Sequence, residues 1–177
     1  MLLKDELFLI DEGKMESLSG NESHDRLIIK RLVKKYGKNT AVDNLSLTVF
    51  KNEILVLLGH NGAGKTTILS SLIGEVKPTS GSATAFGTNL LHNEKREIDF
   101  IGVCPQDNVL FEKMTVHENL EFYCRFKGID RMNIVIDETL EKFNLVAKKN
   151  TLGAKLSGGQ KRKLHLAIAL LGDSKIV

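Results

Sequence analysis

Gly59-His60-Asn61-Gly62-Ala63-Gly64-Lys65-Thr66 fits the pattern G-x-x-x-x-G-K-[ST] position by position. Glycines at those spacings let backbone N–H groups curl around an anion, and the N-terminus of a following helix adds unpaired donors and a positive dipole end. Lys65 would reach the β and γ phosphates of a nucleotide as a mobile point charge, and the Thr66 hydroxyl would ligate Mg²⁺. Thr67 can donate to the α phosphate. An ordinary glycine turn is the plain alternative, but the apolar run before the loop and the helical pattern after it favour phosphate. The loop alone does not separate ATPases from kinases or GTPases.

A second candidate anion site is Leu156-Ser157-Gly158-Gly159-Gln160, followed by Lys161, Arg162 and Lys163. Three cations in the first turn of a helix oppose its dipole, so something negative is expected to compensate. Ser157, Gly158 and Gly159 would offer a hydroxyl and backbone donors to phosphate oxygens. The alternative is a serine-capped helix with a solvated basic face. Ser157 lies 157 − 65 = 92 positions after Lys65. One triphosphate is not expected to bridge both sites of one chain, so two chains head to tail, each capping the other's nucleotide, is the economical geometry.

Positioning these sites requires an α/β framework. "RLIIKRLVKKYG" and "LSLTVF" are expected as antiparallel strands, with Leu45, Leu47 and Val49 on one face of the second. "ILVLLG" (54–59) has the continuous apolar character of a strand buried on both faces of a parallel sheet, followed by a helix over "KTTILSSLIG" that stops at Gly74. "GSATAFG" is a further short strand, and "EIDFIGVC" (97–104) another, halted by Pro105. From Thr115 the pattern turns helical. "TVHENLEFYCRFKG" carries a capping box, Thr115 with Glu118, and closes at Gly128. "NIVIDETLEKFNLV" and "SGGQKRKLHLAIALLG" follow, the last closed by Gly172. Residues 107–172 therefore read as a helical subdomain, and the polar, acidic stretch within 1–25 as a flexible lead-in.

Lys and Arg number 25 against 22 Asp and Glu among 177 residues, a net charge of +3. The charges are interspersed, which gives no nucleic-acid groove. No window approaches the roughly 18 apolar residues of a membrane span, and Lys4, Asp5 and Glu6 break the first apolar run as a signal segment. The sequons at Asn21 and Asn44 are read as chance, and Cys104 and Cys124 as buried structural thiols of a reducing compartment. His24, His92, His117 and His165 are read as surface or packing residues, and His60 as a loop residue offering only its backbone.

Taken with Gln106 in "GVCPQD", these motifs resemble the nucleotide-binding domain of an ABC transporter. Gly59 to Thr66 matches that family's Walker A loop, Gln106 its Q-loop glutamine and Leu156 to Gln160 its signature motif, over about residues 26–177. "GHNGAGKTT", "GVCPQDNVLF" and "LSGGQKRKL" are similar to the A subfamily of eukaryotic ABC transporters, which mostly move lipids. The resemblance implies a P-loop NTPase of ABC ATPase type, with an antiparallel β subdomain and a helical subdomain. Tyr36 would stack on adenine, with a strand-end aromatic as the alternative. Gln106 would contact Mg²⁺ and the attacking water and sense the membrane domain, with a loop glutamine held by Pro105 as the alternative. ATP and Mg²⁺ are the implied cofactors. The implied partners are a second nucleotide-binding domain and transmembrane domains, at the cytosolic face of a membrane and without nucleic acid.

The resemblance further implies that "SKIV" (174–177) opens the Walker B strand, which in the family continues into an Asp-Glu pair that holds Mg²⁺ and polarises water. The chain is therefore expected to be truncated within that strand, with an incomplete central sheet, low stability and little hydrolysis. A soluble ABC protein of the translation-factor type and a non-catalytic dimer partner are the competing readings.

Overall fold

Strand β1 (Arg26–Tyr36) and strand β2 (Asn39–Phe50) form a hairpin in the computed structural model, which describes residues 26–91, 100–107, 109–172 and 174–177. Gly37, at φ 58°, supplies the left-handed backbone that a two-residue turn needs. Leu27 pairs with Val49 and Ile29 with Leu47, and the register then slips between Ile29 and Leu32. Arg31 takes φ 48° at that slip, and its N–H turns to the Ser46 hydroxyl at 3.0 Å, as a bulge requires. Leu45, Leu47 and Val49 are half-buried while Ser46, Thr48 and Phe50 are exposed, the alternation the sequence carries. β2 nevertheless begins at Asn39, well before "LSLTVF".

Strand β3 (Ser80–Ala85) joins the other edge of β1, and strand β4 (Thr88–Asn89) follows across a Phe86-Gly87 turn. The sheet runs β2-β1-β3-β4 and every pairing is antiparallel. Ile29, Leu32, Val42, Ala83 and Ala85 are buried in it. Helix α1 (Lys65–Ile73) buries Ile68 and Ser71 and ends at Gly74 in the left-handed conformation.

The expected strand over 54–59 is not formed. Ile54 is 94% exposed, Val56 52% and Leu58 42%, and the segment is irregular apart from a lone bridge at Leu57. Apolar content alone does not make a strand; hydrogen-bonding neighbours do, and among the described residues no strand runs beside this one. The strand expected over 97–104 is likewise reduced, within its described part, to a bridge at Ile101.

Contacts divide the chain into two units, one through Arg96 and one from Glu97 onward. The second holds helices α2 (Val116–Phe126), α3 (Met132–Lys142) and α4 (Gly158–Ala169), with 3₁₀ turns at Val146–Lys148 and Gly153–Lys155. Val116, Leu120 and Cys124 of α2, Ile136 and Leu140 of α3, and Leu164, Ala167 and Ile168 of α4 form one core at helical spacing. The α3 helix stops at Lys142 rather than running to Val146, because Asn144 turns left-handed and Leu145 tucks its N–H onto the Leu140 carbonyl. Ile101 and Ile176 pair in parallel, with the Gly102 N–H donating to the Ile176 carbonyl at 2.7 Å. No helix among the described residues is long and apolar enough to cross a membrane. The lead-in over 1–25 and the residues His24, His92 and Asn21 lie outside the described residues.

Candidate functional site

The glycine-rich loop leads directly into α1, whose N-cap is Gly64 at φ 87° with no side-chain cap. Among the described residues no acceptor meets the N–H groups of Lys65, Thr66 and Thr67, the orphan donors of a first turn. Lys65 Nζ donates to the Gly59 carbonyl at 2.5 Å and to the His60 carbonyl at 2.8 Å, so its charge lies across the loop mouth. Gly59, His60, Asn61, Gly62 and Thr66 are exposed, and Ala63, Gly64, Lys65 and Thr67 half-buried. The Ala63 N–H returns to the His60 carbonyl, and His60 Nδ1 sits 2.7 Å from the Asn61 carbonyl oxygen. An uncapped helix tip, a lysine and the Thr66 hydroxyl form the donor set that phosphate and a hard cation require. Among the described residues no group of three His, Cys, Asp or Glu side chains could hold a metal without such oxygens.

Tyr36 ends β1 in the same unit and is 49% exposed. Lys34 Nζ lies 4.7 Å from its ring centroid, a cation–π contact that steadies the ring.

In the second unit, Ser157 is the N-cap of α4. Its hydroxyl accepts the Gln160 N–H at 3.3 Å, while Gln160 Oε1 accepts the Ser157 N–H at 3.0 Å, a complete capping box. That arrangement leaves the hydroxyl proton of Ser157 to donate elsewhere. Leu156 is buried beneath the tip, and Ser157, Gly158 and Gly159 are exposed. A Cβ placed on Gly158 or Gly159 would meet nothing within 4 Å, so the fold itself does not demand glycine there. Gly158 and Gly159 are the first two residues of α4 and neither takes a positive φ, so neither packing nor backbone conformation among the described residues requires glycine at this tip.

The α2 helix shows what a closed tip looks like. Thr115 Oγ1 accepts the Glu118 N–H, Glu118 accepts the Thr115 N–H, and the N–H groups of Val116 and His117 bond to the Thr151 and Lys149 carbonyls. The backbone bond from Thr115, more than any nearby charge, holds the Glu118 carboxyl below its ordinary range. The α3 helix also starts without a side-chain cap, but from Arg131 and with neither glycine nor hydroxyl at its tip.

The negative group expected to compensate the basic turn after Gln160 is, for one of its cations, a carboxylate of this chain. Lys161 pairs with Glu112 at 3.0 Å, and Arg162 Nη1 donates to the Pro105 carbonyl at 2.7 Å. Two of the three cations are thus engaged within the chain, and Lys163 is exposed. Gln106 follows Pro105 on an exposed bend. Cys104 is half-buried rather than buried, whereas Cys124 is fully buried and desolvation pushes its thiol up. His117 sits half-buried on α2, 3.9 Å from the Glu121 carboxylate, and His165 is buried on α4.

Sequence reasoning overlooked Asn119. Fully buried, its amide donates to the Phe111, Met114 and Thr115 carbonyls at 3.1, 3.3 and 2.9 Å and accepts the Phe111 N–H at 3.0 Å. It thereby orders the turn from Phe111 to Thr115 that leads into α2. An asparagine on the apolar stripe between Val116 and Leu120 is the signal that could have found it.

Residues 42–177 match the family described as ABC transporter. The chain is 40% identical over 187 residues to human ATP-binding cassette sub-family A member 2, covering 98% of this chain and 8% of that protein. It is 42% identical over 153 residues to the mouse retinal-specific phospholipid-transporting ATPase ABCA4, covering 84% of this chain and 7% of that protein. A Dictyostelium discoideum relative, ABC transporter A family member 4, is 38% identical over 171 residues, 93% of this chain and 11% of its own length. The chain thus spans about a tenth or less of the relatives it matches. It carries their ATP-binding domain, a P-loop NTPase built here of an antiparallel sheet and helices, and it belongs to the ABC transporter family.

Proposed function

We propose that this chain binds MgATP in two half-sites and contributes them to a head-to-tail pair of nucleotide-binding domains in a subfamily A transporter. Family membership implies ATP, typically with Mg²⁺. The first half-site is the loop from Gly59 to Thr67: backbone donors and Lys65 take the β and γ phosphates, the Thr66 hydroxyl takes Mg²⁺, and Tyr36 stacks on the base. The second comprises Leu156 to Gln160, with the Ser157 hydroxyl and the Gly158 and Gly159 N–H groups meeting the γ phosphate held by the partner domain. Gln106 supplies a metal and water contact. Transmembrane domains complete the transporter, with this domain at the cytosolic face of the membrane. A lipid cargo follows from the phospholipid-transporting relative, whose name states that activity of itself.

One observation carries the reading. Gly158 and Gly159 stand at an exposed tip where a Cβ would meet nothing within 4 Å among the described residues, which leaves the tip open to a phosphate brought from outside the chain. Calorimetry with MgATP and sedimentation test it together. Lys65→Ala removes two charge-assisted contacts worth ~1.5–3 kcal/mol each with phosphate, and should weaken binding by tenfold or more. Gly158→Glu with Gly159→Glu should leave binding in place but abolish ATP-dependent association. Association that ignores those glutamates would overturn the shared clasp, and unchanged affinity in Lys65→Ala would overturn the phosphate loop.

A further inference from the structure

We propose that Arg162 is a positioning residue for Gln106, locking the glutamine loop and the signature tip into one rigid piece. Arg162 is the fifth residue of α4 and exposed, so its long side chain fixes nothing unless a contact holds it. It has one. Nη1 donates to the carbonyl of Pro105 at 2.7 Å, and that oxygen belongs to the peptide plane whose N–H is that of Gln106. Proline fixes its own φ and confines Cys104 before it to extended backbone, so few free dihedrals remain between the anchored oxygen and the residues on either side.

The segment is also fastened at its other end. Gly102 is buried, and a Cβ built on it would lie 1.9 Å from the Ala169 carbonyl oxygen, so its backbone lies flush against the last turn of α4. The lengths agree. Seven helical residues from Arg162 to Ala169 rise about 10.5 Å, and three extended residues from Gly102 to Pro105 span about 10 Å. The two fastenings therefore fit a segment lying along α4, antiparallel to it. His165, three residues after Arg162 and four before Ala169, shares that helical strip and is only 4% exposed, as a covered strip requires. Its ring nitrogens have no partner among the described residues, so it fills space without gripping the segment; Arg162 supplies the polar grip.

The consequence for function rests on the reading above only in giving Gln106 a nucleotide to meet. Ser157 lies five residues before Arg162 on the same helix tip, so a force drawing the tip onto phosphate carries the Gln106 backbone with it. Without the guanidinium, the tip could engage while Gln106 swung freely.

The chain contains no tryptophan, so Asp107→Trp, on the exposed bend beside Gln106, makes a single reporter in the full chain. Its fluorescence anisotropy is read without nucleotide, which keeps the outcome independent of whether MgATP binds. Removing the tether with Arg162→Ala should add nanosecond local motion and lower the steady-state anisotropy by about a third. Arg162→Lys, which keeps a cationic donor, should recover part of it. A parallel reporter, Lys163→Trp on α4, should stay unchanged, since a merely structural role would loosen both. Arg162→Met keeps the stem packed while removing the donors, and replaces the alanine variant if that one fails to fold. Equal anisotropy of the Asp107→Trp reporter with and without the guanidinium overturns the proposal, as does an equal drop at both reporters.

Discussion

Gly62 and Gly64 make a matched pair for testing how the phosphate loop is built. Their backbones have nearly the same left-handed conformation, φ 90° and 87°, so an alanine at either pays a similar strain of ~1–2 kcal/mol. Their surroundings differ. A Cβ on Gly62 meets nothing within 4 Å, whereas one on Gly64 would sit 2.3 Å from the Ala41 carbonyl oxygen of β2. Real Cβ contacts essentially never fall below 3.0 Å, so Gly64→Ala must separate loop and strand by at least 3.0 − 2.3 = 0.7 Å. Overpacking of this kind costs ~1–3 kcal/mol, and the group met is backbone, which cannot swing away as a side chain would. Gly64→Ala should therefore be less stable than Gly62→Ala by ~1–3 kcal/mol in urea denaturation followed by circular dichroism, with strain common to both. Because Gly64 is also the N-cap of α1, the same displacement moves the donors of Lys65 and Thr66, and MgATP affinity should fall further in Gly64→Ala than in Gly62→Ala. Equal denaturation midpoints for the two variants would refute the close approach of loop and strand.

Asn119→Ala leaves the Phe111 N–H without its acceptor, while the Phe111, Met114 and Thr115 carbonyls keep the N–H groups of Met114, Gly153 and Asn119; it should cost roughly 1–3 kcal/mol in urea denaturation, more than any exposed change on α2, and a loss under about 0.5 kcal/mol would count against it. Glu118 and Asp137 both have carboxyls held below their ordinary values of 4.5 and 3.8, by the Thr115 backbone and by the Lys149 ammonium respectively. Their contribution is thus fully present above those values and lost as pH falls through the lower folded ones. An acid titration of stability should be flatter in Glu118→Gln with Asp137→Asn than in the parent, and an unchanged acid limb would contradict it. Of the two cysteines, half-buried Cys104 should react with a thiol reagent in the folded chain, while Cys124, buried and with its thiol pushed up, should react only after denaturation.

How far the sequence could be read depended on whether a feature is settled locally. The capping box read at Thr115 forms as its spacing implies, and Ser157 caps α4 as the alternative reading has it, because each needs only residues three apart. The β1–β2 hairpin and α1 were legible for the same reason, although the extra length of β2 and the β4 turn at Phe86-Gly87 were not. "ILVLLG" was misjudged because burial on two faces is a property of neighbours, and an apolar run does not report whether a strand lies beside it. The partners of the basic turn were not legible for the same reason: Glu112 and the Pro105 carbonyl are 49 and 57 positions from the cations they meet. Asn119 is the converse case, a polar residue in an apolar stripe whose four bonds run no farther than eight positions.

The two helix tips solve the same electrostatic problem with different parts, and the difference bears on their division of labour. At α1 the charge is local and mobile: Lys65 rests on carbonyl oxygens of its own loop and can leave them for phosphate with little rearrangement. At α4 two of the three nearby cations are already committed, to Glu112 and to Pro105, which leaves hydroxyl and backbone donors as the main means of meeting an anion at the tip. Such donors are short in reach and need close approach, which is what a tip bare of side chains at Gly158 and Gly159 allows. On the function proposed above, the α1 tip would capture nucleotide by charge and the α4 tip would discriminate by fit. Of the cations beside that tip, Arg162 is instead engaged by the Pro105 carbonyl, next to Gln106.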